Sequence, residues 1–170
     1  MGVNVHLYLN YLMKKLLLIR HAKAEKETSV KDIDRPLKYI GIQDATFMAD
    51  RVKQNSFIPQ IFITSPALRT KTTAEIFADH LSLPEPRINK AIYEASQQGL
   101  LKVINQLTPE NDFVALVCHN PGISQILYYL TGESKDVHTS TVALIEFETD
   151  SWASVSNETG KLVYYSSPKE

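Results

Sequence analysis

One cysteine, Cys118, is all that the 170 residues offer. The chain can therefore close no internal disulfide, and it suits a reducing compartment. No apolar run approaches the roughly 20 residues that a membrane-spanning helix needs. A leader peptide is not expected either. Residues 1–12 (MGVNVHLYLNYL) carry no charged n-region, and only four apolar residues follow Lys14 and Lys15. These absences point to a cytoplasmic protein with no membrane partner. Charge of one sign is also missing. Eighteen Lys and Arg face 19 Asp and Glu, a net charge of -1, whereas a general nucleic-acid binder would show a basic excess. Neither His-x-x-x-His nor Cys-x-x-Cys occurs, so the common zinc-ligand spacings are absent, and no metal or other cofactor is expected. There is no internal repeat, low-complexity segment or domain linker.

What is present is ordinary in bulk, with 44% hydrophobic and 22% charged residues. The length suits one domain with a sizeable core. Met13-Lys14-Lys15 reads as a natural chain start, so residues 1–12 are expected to be an N-terminal extension outside the fold and residues 13–170 a single domain. Apolar runs then alternate with helical patterns. Leu16–Ile19, Gln60–Thr64 and Phe113–Cys118 have the composition of buried strands. Tyr39–Gln54 places Ile42, Ala45, Met48, Ala49 and Val52 at helical spacing. Ser65-Pro66 and Asn120-Pro121 each pair a capping side chain with proline, so helices are expected to open there and to run to about Leu81 and Gly132. A shorter helix is expected over Leu100–Leu107, a proline-punctuated loop over Leu83–Ile88, and strands over Val142–Phe147, Trp152–Val155 and Leu162–Tyr165. The alternation predicts an α/β fold, a sandwich with a largely parallel sheet.

Ligands of open α/β sheets bind at the carboxyl ends of the strands, and three polar signals fall there. Arg20-His21 ends the first strand, Thr64-Ser65-Pro66 with Arg69 ends the second, and His119-Asn120-Pro121 ends the third. Taken singly, Ser-Pro and Asn-Pro have a plain explanation as helix starts and Arg69 as a surface residue, whereas Arg20-His21 and His119 follow buried strands, where an unpaired cation would be costly. Jointly they bring two arginines, two histidines and two helix N-termini to one sheet edge, with almost no acid among them. Such a site suits a phosphate. From Lys14 to Lys38, eight basic residues face four acidic ones, which would also favour an anion. The arginines argue against a metal between the histidines. Cys118 and His119, adjacent on a strand, point to opposite faces, so Cys118 is expected to pack in the core rather than act as a nucleophile.

The segments LLLIRHAKAE (Leu16–Glu25), DIDRPLKYIG (Asp32–Gly41), ITSPALRTKTTAEIF (Ile63–Phe77) and VCHNPGIS (Val117–Ser124) together resemble the histidine phosphatase superfamily. They are most similar to its small SixA-type phosphohistidine phosphatase branch. The resemblance implies a three-layer α/β/α sandwich of the phosphoglycerate mutase type. It implies that His21 is the nucleophile that becomes phosphorylated, that Arg20 and Arg69 bind phosphate, and that His119 is the second pocket histidine, with Asn120 beside it. Two departures stand out. Ala22 replaces the glycine that usually follows the nucleophile, and the acid that protonates the leaving group has no secure match, Glu94 being the candidate. The implied activity is metal-independent hydrolysis of phosphohistidine, on a phosphorylated protein or a small phosphorylated substrate. A small-molecule phosphomonoesterase and a non-catalytic phospho-ligand module are the alternatives. Asp34 and Arg35 are read either as residues that position the loop or the substrate or, equally, as surface packing.

Overall fold

The apolar run Leu16–Ile19, fully buried, is the centre of a longer strand, β1 (Met13–Arg20). A computed structural model describes residues 13–26 and 29–169; the expected extension, residues 1–12, lies outside the described residues. After β1 come α1 (Tyr39–Gln54), β2 (Ile61–Thr64), α2 (Leu68–His80), β3 (Arg87–Ile88), α3 (Gln97–Asn105), β4 (Phe113–Cys118), α4 (Gly122–Thr131), β5 (Val142–Glu148) and β6 (Gly160–Ser166). The six strands form one sheet in the order β3-β2-β4-β1-β5-β6. β1, β2, β3 and β4 are mutually parallel, while β5 runs antiparallel to both β1 and β6. The expected largely parallel α/β sandwich is the observed architecture.

Successive strand residues face opposite sides, and this sorts the core into two halves. Leu17, Ile19, Phe62 and Val117 pack with Met48 of α1 and Phe77 of α2. Leu16, Leu18, Leu116 and Cys118 pack with Ile104 of α3 and Ile126 of α4. Each such buried aliphatic side chain contributes about 1.5–3 kcal/mol before entropy is counted. Cys118 thus packs as expected, and burial pushes its thiol up to about 12, which keeps it protonated and unreactive. Lys14 is only 2% exposed. Its ammonium donates to the Asp112 carboxylate and the Pro109 carbonyl, and this pairing makes its burial tolerable.

Four expectations need correction. The last two residues of the expected loop Leu83–Ile88 form β3, paired in parallel with β2. Trp152–Ser154 forms a 3-10 turn rather than a strand. The indole Nε1 donates to the Asn111 carbonyl, and Asn105 Nδ2 donates to the carbonyls of Trp152 and Val155. Those backbone acceptors are therefore satisfied by a side chain, not by a neighbouring strand. The third helix begins at Gln97, earlier than expected, because the Ser96 hydroxyl accepts the Gly99 N–H as its cap. The helices after Ser65-Pro66 and Asn120-Pro121 begin at Leu68 and Gly122, which frees Ser65 and Asn120 for other contacts. The α4 terminus at Gly132 is as expected, with φ of 73° in the left-handed region that glycine adopts without strain. Gly41 of α1 lies against the Lys23 carbonyl, and a Cβ there would overlap it. This close approach fixes the loop that follows β1.

Candidate active site

Strand register sets the site. Arg20 pairs with Cys118 across β1 and β4, and Thr64 pairs with Val117 across β2 and β4. The next residues, His21, Ser65 and His119, therefore leave the sheet at one level. The His21 and His119 rings lie 5.3 Å apart between centroids. Arg69, in the first turn of α2, is 5% exposed, and each histidine is 9% exposed. Arg20, His21, Arg69, His119 and Asn120 all line one cavity of about 540 Å³. Glu94 lines an adjoining cavity of about 530 Å³ that shares Arg69, His119 and Asn120.

The tautomer of His21 follows from its partner. Its Nδ1 lies 2.8 Å from the Ala22 carbonyl oxygen, which can only accept, so Nδ1 carries the hydrogen and Nε2 keeps its lone pair. The Ala22 peptide is itself held, because its N–H donates to Thr73 Oγ1, and that hydroxyl donates to the Arg69 carbonyl. Burial, followed by the charges of His119, Arg69 and Arg20, pushes the His21 imidazole down to about 3, against the opposing pull of the Ala22 carbonyl. The ring is uncharged at neutral pH. Ala22 does not adopt positive φ, and its methyl is fully buried, so the place usually held by glycine accepts alanine here.

His119 is set from the other side. Its Nε2 is 2.8 Å from Ser65 Oγ. That hydroxyl accepts the Ala67 N–H and meets no acceptor but the ring among the described residues, so its hydrogen goes to Nε2 and the imidazole hydrogen to Nδ1. Burial first, then Arg69, pushes His119 down to about 4. Its Nδ1, together with Arg20 Nε and Arg69 Nε, is buried and finds no partner among the described residues. Buried polar atoms are seldom left so. All three belong to residues that line the one cavity.

Asp32 holds the arginine side of the site, a role the sequence did not disclose. Its backbone carbonyl accepts Arg69 Nη1 at 2.8 Å, and its carboxylate accepts Arg69 Nη2 at 3.2 Å and Arg35 Nε at 2.9 Å. The Tyr93 hydroxyl donates to the same carboxylate at 2.8 Å, and chiefly this bond pulls Asp32 down to about 2. Arg20 is fixed separately, with Nη1 donating to the Val137 carbonyl, which also accepts Asn120 Nδ2. Arg35 therefore braces the loop and lines the cavity, whereas Asp34 is exposed and sits in the 3-10 turn Asp32–Asp34.

Residues 16–98, which carry Arg20, His21 and Arg69 in this arrangement, match the model of the histidine phosphatase superfamily, branch 1. Over that stretch the chain is similar to that superfamily. Among solved structures, a protein assigned as the phosphohistidine phosphatase SixA from Agrobacterium tumefaciens is 24% identical, with a TM-score of 0.79 over 91% of this chain and 98% of that one. The protein histidine phosphatase SixA in complex with tungstate is 23% identical, also at 0.79, over 91% and 97%. These likenesses show that the chain has the SixA-like, phosphoglycerate mutase-type fold. An uncharacterized chloroplastic protein of Arabidopsis thaliana is 26% identical over 83% of this chain and 70% of its own length.

Proposed function

We propose that the protein is a metal-independent phosphohistidine phosphatase working through a phospho-His21 intermediate. The observation that carries this reading is the aim of His21: its proton is fixed on Nδ1 and its Nε2 lone pair is left beside Arg20, Arg69 and His119. Nε2 attacks phosphorus, the phosphorus–nitrogen bond to the substrate imidazole breaks, and the electron pair departs on that ring. The hydrogen stays on Nδ1 and is donated to the Ala22 carbonyl, which stabilises the positive charge that the phosphorylated ring acquires. Water then attacks the intermediate, releases inorganic phosphate and restores neutral His21. Arg20, Arg69 and the Nδ1–H of His119 receive the phosphoryl oxygens, in the manner of preorganised charge stabilisation. The tungstate bound by the SixA structure is an oxyanion, in keeping with such a cavity. We place the activity in the cytoplasm, where Cys118 stays reduced; among the described residues no helix is long and apolar enough to cross a membrane.

The leaving group separates this reading from its nearest rival. A phosphohistidine imidazole can carry a proton on its other nitrogen and depart neutral, so it needs little acid catalysis. An alkoxide does need it, and Glu94, in the adjoining cavity with His119, is the carboxyl group that could supply a proton. Turnover of phosphohistidine, p-nitrophenyl phosphate and a sugar phosphate is the deciding comparison. Phosphohistidine is expected to be the best substrate, with EDTA and Glu94→Gln leaving its rate within twofold. A preference for the sugar phosphate that Glu94→Gln abolishes would make the protein a phosphomonoesterase.

The pH dependence follows from the depressed imidazoles. A group that must be neutral and ionises at about 3 is lost only in strong acid. The kcat/KM profile for the enzyme is therefore expected to show no inflection near 6.5, where an unperturbed histidine titrates, between pH 5 and 8. An acidic limb centred near 6.5 that tracks His21 would contradict the assignment.

A further inference from the structure

The cavity before His21 holds more positive charge than a phosphoryl group alone would use. Besides Arg20 and Arg69, it is lined by Lys23, Lys26, Arg35 and Lys169, against a single carboxylate, Asp44. Arg35 is already committed to Asp32 and to the Glu25 carbonyl. Lys23, Lys26 and Lys169 are exposed, and no ion pair with another described residue engages them. They come from two distant stretches, the loop after β1 and the tail after β6, so the fold gathers them. The adjoining cavity is of opposite character: past the shared Arg69 and His119 it presents Asp32, Glu94, Ser96 and Gln125. The site is thus electrostatically one-sided. On the cationic side Ile40 lines the cavity, and its neighbour Tyr39, at the start of α1, is 76% exposed. An exposed aromatic at a charged rim is the composition of a protein-binding surface more than of a metabolite pocket.

Resting on the phosphatase reading above, we propose that Lys23, Lys26 and Lys169 dock carboxylates flanking the phosphohistidine of a protein substrate, so that the enzyme selects acidic phosphorylated segments. The contacts are solvent-exposed, so they act through attraction and encounter rather than through buried pairing. They are made alike in the ground state and the transition state. Their effect therefore belongs in KM, not in kcat, and it weakens as salt screens it.

Three substrates test this: free phosphohistidine and two phosphohistidine peptides of equal length, one flanked by Asp and Glu, the other by Lys. The acidic peptide is expected to exceed the basic one in kcat/KM by roughly tenfold at low salt, with the difference in KM and shrinking toward unity in 0.5 M NaCl. In K23E/K26E the order of the peptides is expected to reverse, while free phosphohistidine changes by less than about twofold. Equal turnover of the two peptides, or an order that survives the charge reversal, would overturn the docking role and leave the phosphatase reading standing. A wild type that hydrolysed none of the three would remove that reading and the docking role with it.

Discussion

His21→Ala is expected to bring phosphohistidine turnover down to the uncatalysed rate and to leave no radiolabel on the protein after exposure to a labelled substrate. Wild-type protein, quenched in alkali during turnover, is expected to carry a label at His21 that acid removes. The physical ground is that, among the described residues, no other imidazole in the cavity offers a free lone pair. Arg20 and Arg69 are pure donors, and His119 presents an N–H at Nδ1 because its Nε2 is taken by Ser65. Asp32 has its carboxylate occupied by Arg69, Arg35 and Tyr93. Deleting the imidazole therefore removes the covalent route and does not merely weaken it. The fold should survive, since His21 is a strand-end residue outside both apolar clusters, and far-UV circular dichroism checks this. Full activity in a folded His21→Ala variant would end the nucleophile assignment.

Arg69→Lys comes second in expected effect. The two amino groups of Arg69 are held at Asp32, one on the backbone carbonyl and one on the carboxylate, while Nε is buried without a partner. The guanidinium is thus gripped by Asp32. A lysine ammonium has a single nitrogen and cannot bridge Asp32 and a phosphoryl oxygen in this way. A loss of roughly 10²–10³ in kcat is expected, the scale of one preorganised donor. Because the lysine keeps a positive charge, phosphate inhibition should weaken far less than kcat falls. Near-normal kcat in Arg69→Lys would show that charge alone suffices and that the planar fork is dispensable.

Most of the sheet could be read from the sequence because buried strands are short apolar runs with polar ends. β4 coincides with FVALVC, and α1 coincides with the periodic stretch Tyr39–Gln54. Trp152–Val155 misled because an aromatic next to small and β-branched residues looks like a strand, while its hydrogen bonds go to Asn105 and Asn111, far away in the chain. The gathering of Arg20, His21, Arg69 and His119 was legible for the same reason as the strands. Each follows a strand end, and parallel register aligns those ends. Asp32, Tyr93 and Thr73 were not legible. Their contributions are single hydrogen bonds across the fold, and nothing in local spacing separates them from any other surface aspartate, tyrosine or helical threonine. A partial signal existed in Asp32 standing three residues before Arg35, a spacing suited to the ion pair that forms.

The hydroxyl of Ser65 reaches beyond its own contact. By steering the His119 hydrogen outward, it leaves Nε2 of His21 as the lone electron-rich nitrogen in a ring of N–H groups. On the proposed reading, a tetrahedral oxyanion would place its oxygens on those hydrogens and its central atom toward that nitrogen. Ligand alignment is thereby written into which imidazole atoms are protonated, before any chemistry begins.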